Sequence, residues 1–173
     1  SESALVLGIE TSCDETAAAV VRGGREVLGG VVHSQVEQHR PHGGVVPEIA
    51  SRCHIEALPG VVREAMRAAG IDWARIDRVA ATRGPGLASS LLVGWSAAKG
   101  LARRLDKPLW AVNHVAAHLA SVFLDPAAPD PRDAVPLVAL VVSGGHTSLF
   151  RCARFGTFRL VGRTIDDAAG EAL

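Results

Sequence analysis

The apolar positions fall into short dense runs separated by small or polar breaks, and their spacing switches between strand-like and helix-like along the chain. "ALVLGIE" (residues 4–10) is a buried-strand run that stops at a small polar turn, "TSCDE" (11–15). "TAAAVV" resumes as a strand, "RGGR" supplies a tight connection, and "EVLGGVVHS" continues, so the chain opens with three antiparallel strands. "RPHGG" (40–44) is a loop. Behind it Pro47 stands where a first helical turn accepts proline, and "EIASRCHIEALPGVVREAMRAAG" has helical spacing, with a break expected near Pro59 and a stop at Gly70.

The middle of the chain alternates. "IDRVAATR" predicts a strand, "GPG" (84–86) a turn, and "LASSLLVGWSAAKGLARRL" a long helix whose Gly94 and Gly100 suit close packing on a sheet. "PLWAVN" predicts another strand, and "HVAAHLASVFL" a helix starting at its end. Strand–helix alternation implies parallel crossovers and an α/β layer. The Pro/Asp-rich "DPAAPDPRDAVP" is the best domain boundary. Beyond it "LVALVVSGGHTSLFRCA" repeats the opening plan of strand, small turn and strand, "GTFRLVGRT" adds a third strand, and "TIDDAAGEAL" carries a helix-start signature with Thr164 as cap. The expected division is a first lobe over 1–125, a linker over 126–136, and the start of a second lobe of the same plan over 137–173. The last helix is cut in its second turn, so the chain is expected to be part of something longer.

Composition narrows the class. Hydrophobic residues make up 48% and charged residues 21%, ordinary for a globular chain. Acidic and basic side chains balance at 18 each, so no global basic field marks nucleic-acid binding. Lys99 and Lys107 are the only lysines; the arginine bias goes with the abundance of Ala, Gly and Val. Cys13, Cys53 and Cys152 are far apart with no CxxC pair, which excludes a cysteine zinc site within the chain and makes a reducing cytoplasm the default. No apolar run approaches the ~20 residues of a membrane span, so a soluble cytoplasmic protein is expected.

Two candidate chemistries emerge. The small-residue turns "TSCDE" and "SGGHT" leave successive backbone N–H groups uncovered, and such nests bind phosphate or carboxylate oxygens. A plain Gly-Gly hairpin turn is the bland alternative for the second. As a duplicated pair the turns imply a nucleotide site between two lobes, with Asp14 and Glu15 available to a metal or its waters. His114 and His118 stand at i and i+4 on one helical face, with Cβ atoms about 5–6 Å apart, which suits one metal ion. Exposed helix histidines at this spacing are common. The strand end where the helix begins, and the small Ala116 and Ala117, favour the metal. A third ligand is missing; His33, His39, His42, His54 and His146 are available, although a surface or hydrogen-bonded role suits His33 and His54. Other motifs fail: there is no GxxxxGK[ST], no GxGxxG, and no HExxH. "SAAK" (96–99) lacks its SDN and KTG companions, and "HGG" (42–44) has no GxSxG elbow to serve.

"LGIETSCDETAAAVV", "HGGVVPEIASRCHIEAL", "TRGPGLASSLLVGWSAAKGLA", "NHVAAHL", "LVVSGGHTSL" and "TIDDAAGEA" closely resemble, in order and spacing, the universal tRNA N6-adenosine threonylcarbamoyltransferase family, whose older label was O-sialoglycoprotein endopeptidase. The resemblance runs over essentially the whole chain, and the family is about twice as long. It implies an actin/Hsp70/sugar-kinase-like (ASKHA) α/β fold with one full lobe and the truncated start of the second. It also implies transfer of a threonylcarbamoyl group from threonylcarbamoyl-AMP to N6 of adenosine 37 in ANN-decoding tRNAs. By the same resemblance, His114 and His118 ligate one Fe2+ or Zn2+ ion, completed by an Asp of the half not present, and Val141, Val142, Ser143, Gly144 and Gly145 line the adenylate pocket. Ser12 joins them through its turn, and Asp14 or Glu15 assists proton transfer. The implied partners are tRNA, a paralogous dimerisation subunit and an ATPase subunit, without a membrane. Alone, this stretch is expected to be inactive, because a further substrate-binding Asp of the family falls just beyond Leu173. The competing readings are a non-catalytic paralogue, which lacks the His pair and "SGGHT", the protease of the old label, which lacks a nucleophile–base set here, and a generic actin-like nucleotide-binding module.

Overall fold

The computed structural model describes residues 3–143 and 147–165. The chain divides into two compact units, Ser1–His114 and Val115–Leu173.

The first unit is a five-stranded sheet in the order β3-β2-β1-β4-β5. Strands β1 (Leu5–Glu10), β2 (Glu15–Arg22) and β3 (Glu26–Ser34) form the antiparallel opening that the sequence predicts. Strand β4 (Arg78–Gly84) lies parallel to β1, and β5 (Leu109–Asn113) parallel to β4. Alternation decides the faces. Leu5, Leu7 and Ile9 of β1 and Thr16, Ala18 and Val20 of β2 are buried, while their neighbours Val6, Gly8, Ala17 and Ala19 are half-buried. The buried face receives two long helices, α2 (Pro47–Ala69) and α3 (Ala88–Leu105), which also pack on each other. A short helix, α1 (Val36–His39), precedes α2. Leu7, Val20, Ile76 and Val79 sit at the centre of this core, each without solvent exposure.

Two local features follow from residue chemistry. Gly29 lets β3 touch the end of α2, where a Cβ would run into the backbone of Ala65 and Ala68. The break expected at Pro59 does not occur, since α2 runs unbroken through it. Pro59 removes the hydrogen bond to the carbonyl four residues back, that of Ile55. Both residues lie on the exposed outer side of α2, where water takes that carbonyl and the buried Leu58 and Val62 keep the helix seated.

In the second unit α4 (His114–Ser121) opens on the last residue of the first unit and passes into a 3-10 turn at Val122–Leu124, shorter than the single helix expected to Leu124. An antiparallel sheet follows, β6 (Leu137–Val142), β7 (Thr147–Arg154) and β8 (Thr157–Arg163), as the repeat of the opening plan predicts. The helix expected from Thr164 onward lies mainly outside the described residues. The Thr164 hydroxyl donates to the Thr147 carbonyl at 3.0 Å, joining the end of β8 to β7.

Candidate functional site

All three mutually parallel strands end on one edge of the first sheet, and the candidate residues lie there. β1 ends at Glu10 and runs into Thr11–Asp14; β4 ends at Gly84 and runs into Pro85 and Gly86; β5 ends at Asn113 and runs into His114. This carboxyl-end edge is where α/β sheets hold ligands.

Glu10 is the last residue of β1, on the face away from Leu7 and Ile9, and its carboxylate is the hub of the edge. It accepts hydrogen bonds from the Ser12 backbone N–H and from the Thr82 hydroxyl of β4. His114 Nδ1 faces Ser12 Oγ at 3.0 Å and Glu10 Oε2 at 3.5 Å. Burial pushes the Glu10 carboxyl up, but the hydrogen bonds from His114, the Ser12 side chain, Thr82 and the Ser12 amide more than reverse this and hold it at about 2. Glu10 is therefore a carboxylate at any working pH. An ionised acceptor beside Nδ1 favours the tautomer with the proton there, which makes Nε2 the lone-pair nitrogen. Carboxylate–histidine pairing of this kind orients metal-ligating imidazoles.

The Thr11–Asp14 turn is tied down through its carbonyls. Ser12 O accepts from Leu87 N–H at 2.8 Å, Cys13 O from His54 Nε2 at 2.9 Å, and Asp14 O from Gln35 N–H at 3.0 Å. In a planar trans peptide the next residue's N–H points opposite to the carbonyl. Tethering these carbonyls turns each of the amides of Cys13, Asp14 and Glu15 away from its own tether. Glycines permit the clamp: a Cβ on Gly86 would come within 2.5 Å of Ser12 O, and one on Gly94 would run into the Thr11 hydroxyl. That hydroxyl sits inside the first turns of α3, donating to Ser90 O at 2.8 Å and accepting from Gly94 N–H at 3.2 Å.

Other expected residues fall as follows. Asp14 is half-buried in the turn, and Glu15 opens β2 exposed. Cys13 is exposed at the turn, yet the protein beneath it and the adjoining Asp14 carboxylate push its thiol up to about 11, so it is no nucleophile at neutral pH. His118 follows His114 by one turn of α4. Val141 and Val142 end β6 in the second unit, followed by exposed Ser143; Gly144 and Gly145, like His146, lie outside the described residues. Of the alternative third ligands, His39 and His54 are buried in hydrogen bonds of their own, and His33 and His42 are exposed elsewhere. Among the described residues no three His, Cys, Asp or Glu side chains converge on one point. His114 and His118 stand one helical turn apart on α4, and Glu10 stands beside Nδ1 of the first of them.

The sequence reading missed Glu10, Thr82, Gly86 and Gln35, whereas Gly94, expected to pack closely on the sheet, does so against Thr11. The available signal for Glu10 was a lone charge closing an otherwise apolar strand.

The five-stranded mixed sheet, in the order β3-β2-β1-β4-β5 with two helices on one face, is that of an ASKHA-type α/β lobe. The solved structure of YeaZ from Pseudomonas aeruginosa shares this fold, with a TM-score of 0.58 at 22% identity over 93% of this chain and 66% of that one. Residues 26–173 match the model of the tRNA N6-adenosine threonylcarbamoyltransferase family, and the chain belongs to that family. It is 59% identical over 168 residues to the tRNA N6-adenosine threonylcarbamoyltransferase of Symbiobacterium thermophilum, and 55% identical over 170 residues to that of Syntrophobacter fumaroxidans. Each match covers 97% of this chain and 48% of the relative, so the chain spans about half the length of the curated relatives it matches. Among the described residues no helix is long and apolar enough to cross a membrane.

Proposed function

We propose that the full-length protein carrying this chain transfers a threonylcarbamoyl group from threonylcarbamoyl-AMP to N6 of adenosine 37 in ANN-decoding tRNAs. Family membership supports the reaction, and the Glu10–His114 pair at the strand edge is the observation in this chain that carries it. A histidine fixed through Nδ1 by a half-buried carboxylate suits a metal ligand, and its partner one helical turn on, His118, suits the same ion. His114 and His118 would hold the ion, iron or zinc, with a further ligand from the rest of the protein. When bound, such an ion supplies Lewis acidity and a template for carbonyl or carboxylate oxygens.

The chain's own residues do the remaining work. The amides of Cys13, Asp14 and Glu15 receive the adenylate phosphate, and Val141, Val142, Ser143, Gly144 and Gly145 are further substrate-binding residues of the full-length protein. The N6 amine of the splayed adenosine attacks the carbonyl carbon of the mixed anhydride. A new N–C bond forms, the C–O bond to phosphate breaks, and AMP leaves with its electron pair. The proton lost from N6 passes to Asp14 or Glu15, or to water they order. Acidic and basic side chains balance at 18 each in this chain, in keeping with partner subunits, a paralogous dimerisation subunit and an ATPase subunit, sharing the grip on RNA in the cytoplasm.

The test is direct. Full-length protein, assembled with its partner subunits, is incubated with threonylcarbamoyl-AMP and an ANN-decoding tRNA, and the digested nucleosides are read by mass spectrometry. Threonylcarbamoyladenosine is the expected product. Unmodified adenosine in the presence of intact adenylate would sink the proposal.

A further inference from the structure

Three buried polar side chains lie behind the Thr11–Asp14 turn and are not explained by packing. Gln35 and His54 have no solvent exposure and His39 has 4%. Burying such groups is costly unless each is satisfied. They are, in one continuous chain. Val46 N–H donates to His39 Nδ1 at 3.3 Å, and His39 Nε2 lies 3.1 Å from Gln35 Oε1. Gln35 Nε2 lies 3.2 Å from His54 Nδ1 and 3.4 Å from Ala50 O. The Thr16 hydroxyl reaches the same Nδ1 at 2.7 Å, and His54 Nε2 meets Cys13 O at 2.9 Å.

A single set of proton positions satisfies all of these contacts. Val46 N–H is a pure donor, so His39 Nδ1 accepts and Nε2 carries the proton. That proton goes to Gln35 Oε1, which turns the Gln35 NH2 toward His54. Cys13 O is a pure acceptor, so His54 also carries its proton on Nε2 and accepts on Nδ1. Both imidazoles are neutral, and the direction of donation runs from the start of α2 to the turn. Gln35 adds a second tether of its own, its backbone N–H to Asp14 O at 3.0 Å.

We propose that His39, Gln35 and His54 form a positioning relay whose task is to hold the Cys13 and Asp14 carbonyls inward, and so to aim the Asp14 and Glu15 amides at the anionic group of an adenylate. The proposal rests on the reading of this edge as an adenylate site. The relay residues touch no substrate; they act through the turn. Losing the His54 donor frees the Cys13 carbonyl, and the peptide that carries the Asp14 amide can rotate out of line.

The test uses full-length protein and AMP as the probe, titrated calorimetrically. His54→Leu removes all three of its ring hydrogen bonds, to Thr16, Gln35 and Cys13, with little change in volume; His54→Gln keeps an amide donor where Nε2 stood. The expected result is an AMP affinity roughly tenfold weaker in His54→Leu, the scale of one or two lost hydrogen bonds. His54→Gln should recover most of it, and the metal content of both variants should match the parent. Gln35→Met, which removes the amide at similar volume, should weaken AMP binding in the same direction and serves if His54→Leu fails to fold. Nitrogen NMR of the parent should find both His39 and His54 as Nε2–H tautomers. Equal AMP affinity in the parent, His54→Leu and Gln35→Met overturns the relay alone, as does an equal loss in the Leu and Gln variants of His54. A parent that binds no AMP overturns the adenylate reading, and the positioning role falls with it, whatever the tautomers.

Discussion

Glu10 performs its work without touching a ligand in the proposed scheme. Its carboxylate is held ionised by four neighbouring donors and in turn orients His114. Glu10→Gln keeps the shape and removes the charge. Metal affinity of the full-length protein should fall about 10–100-fold, the usual consequence of losing such a partner, and a metal titration would read it. His54 offers a second handle at this scale. Burial lowers its pKa from the ordinary 6.5, opposed by the Cys13 carbonyl and the Glu10 and Asp14 charges and aided by His39. The unfolded chain then takes up a proton near pH 6.5 that the folded one refuses until lower pH. The stabilisation from keeping His54 neutral is thus complete above pH 6.5 and lost as pH falls through the folded value. Urea midpoints should drop between pH 7.5 and 5, with a shallower drop in His54→Gln; equal slopes would contradict the assignment. The histidine pair was legible because its two members sit one helical turn apart. The Gln35–His54 relay was not, because residues 15 to 41 positions apart meet only once α2 and β3 pack on the turn.

At the scale of elements, the joint between β1 and α3 depends on one absent methyl group. The Thr11 hydroxyl enters the turn between Ser90 and Gly94, and no side chain fits at position 94 without displacing it. Gly94→Ala would gain helix propensity on a surface helix, yet here it should destabilise by about 1–3 kcal/mol through overpacking, measured by denaturant unfolding. A neutral or stabilising result would mean that α3 shifts freely over the sheet. Strand and helix order could be read from periodicity, because alternation in β1 and β2 and the helical spacing of α2 each answer to one buried face. Pro59 misled, since the burial of Leu58, Val61 and Val62 against the core holds α2 together through a proline on its exposed side. "GPG" read as a plain turn because nothing local reveals that Gly86 must lie against Ser12 O.

At the scale of the molecule, the buried hydrophobic cluster lies between Leu5 and Leu109, wholly within the first unit. That unit supplies the edge carrying Glu10, Ser12, the Thr11–Asp14 turn and His114. His118 and the β6 end, with Val141 and Val142, belong to the second unit, and the curated relatives extend to about twice this length. Among the described residues no three His, Cys, Asp or Glu side chains converge, so the proposed metal site needs a further ligand from the rest of the full-length protein. The measurement that bears most directly on this account is metal content by elemental analysis of the full-length protein, beside its His114→Ala/His118→Ala double variant. A stoichiometric iron or zinc ion in the parent, lost in a double variant that still folds, is the predicted result. A parent without stoichiometric metal, or a double variant that keeps it, would contradict the assignment of the histidine pair and with it the centre of the proposed mechanism.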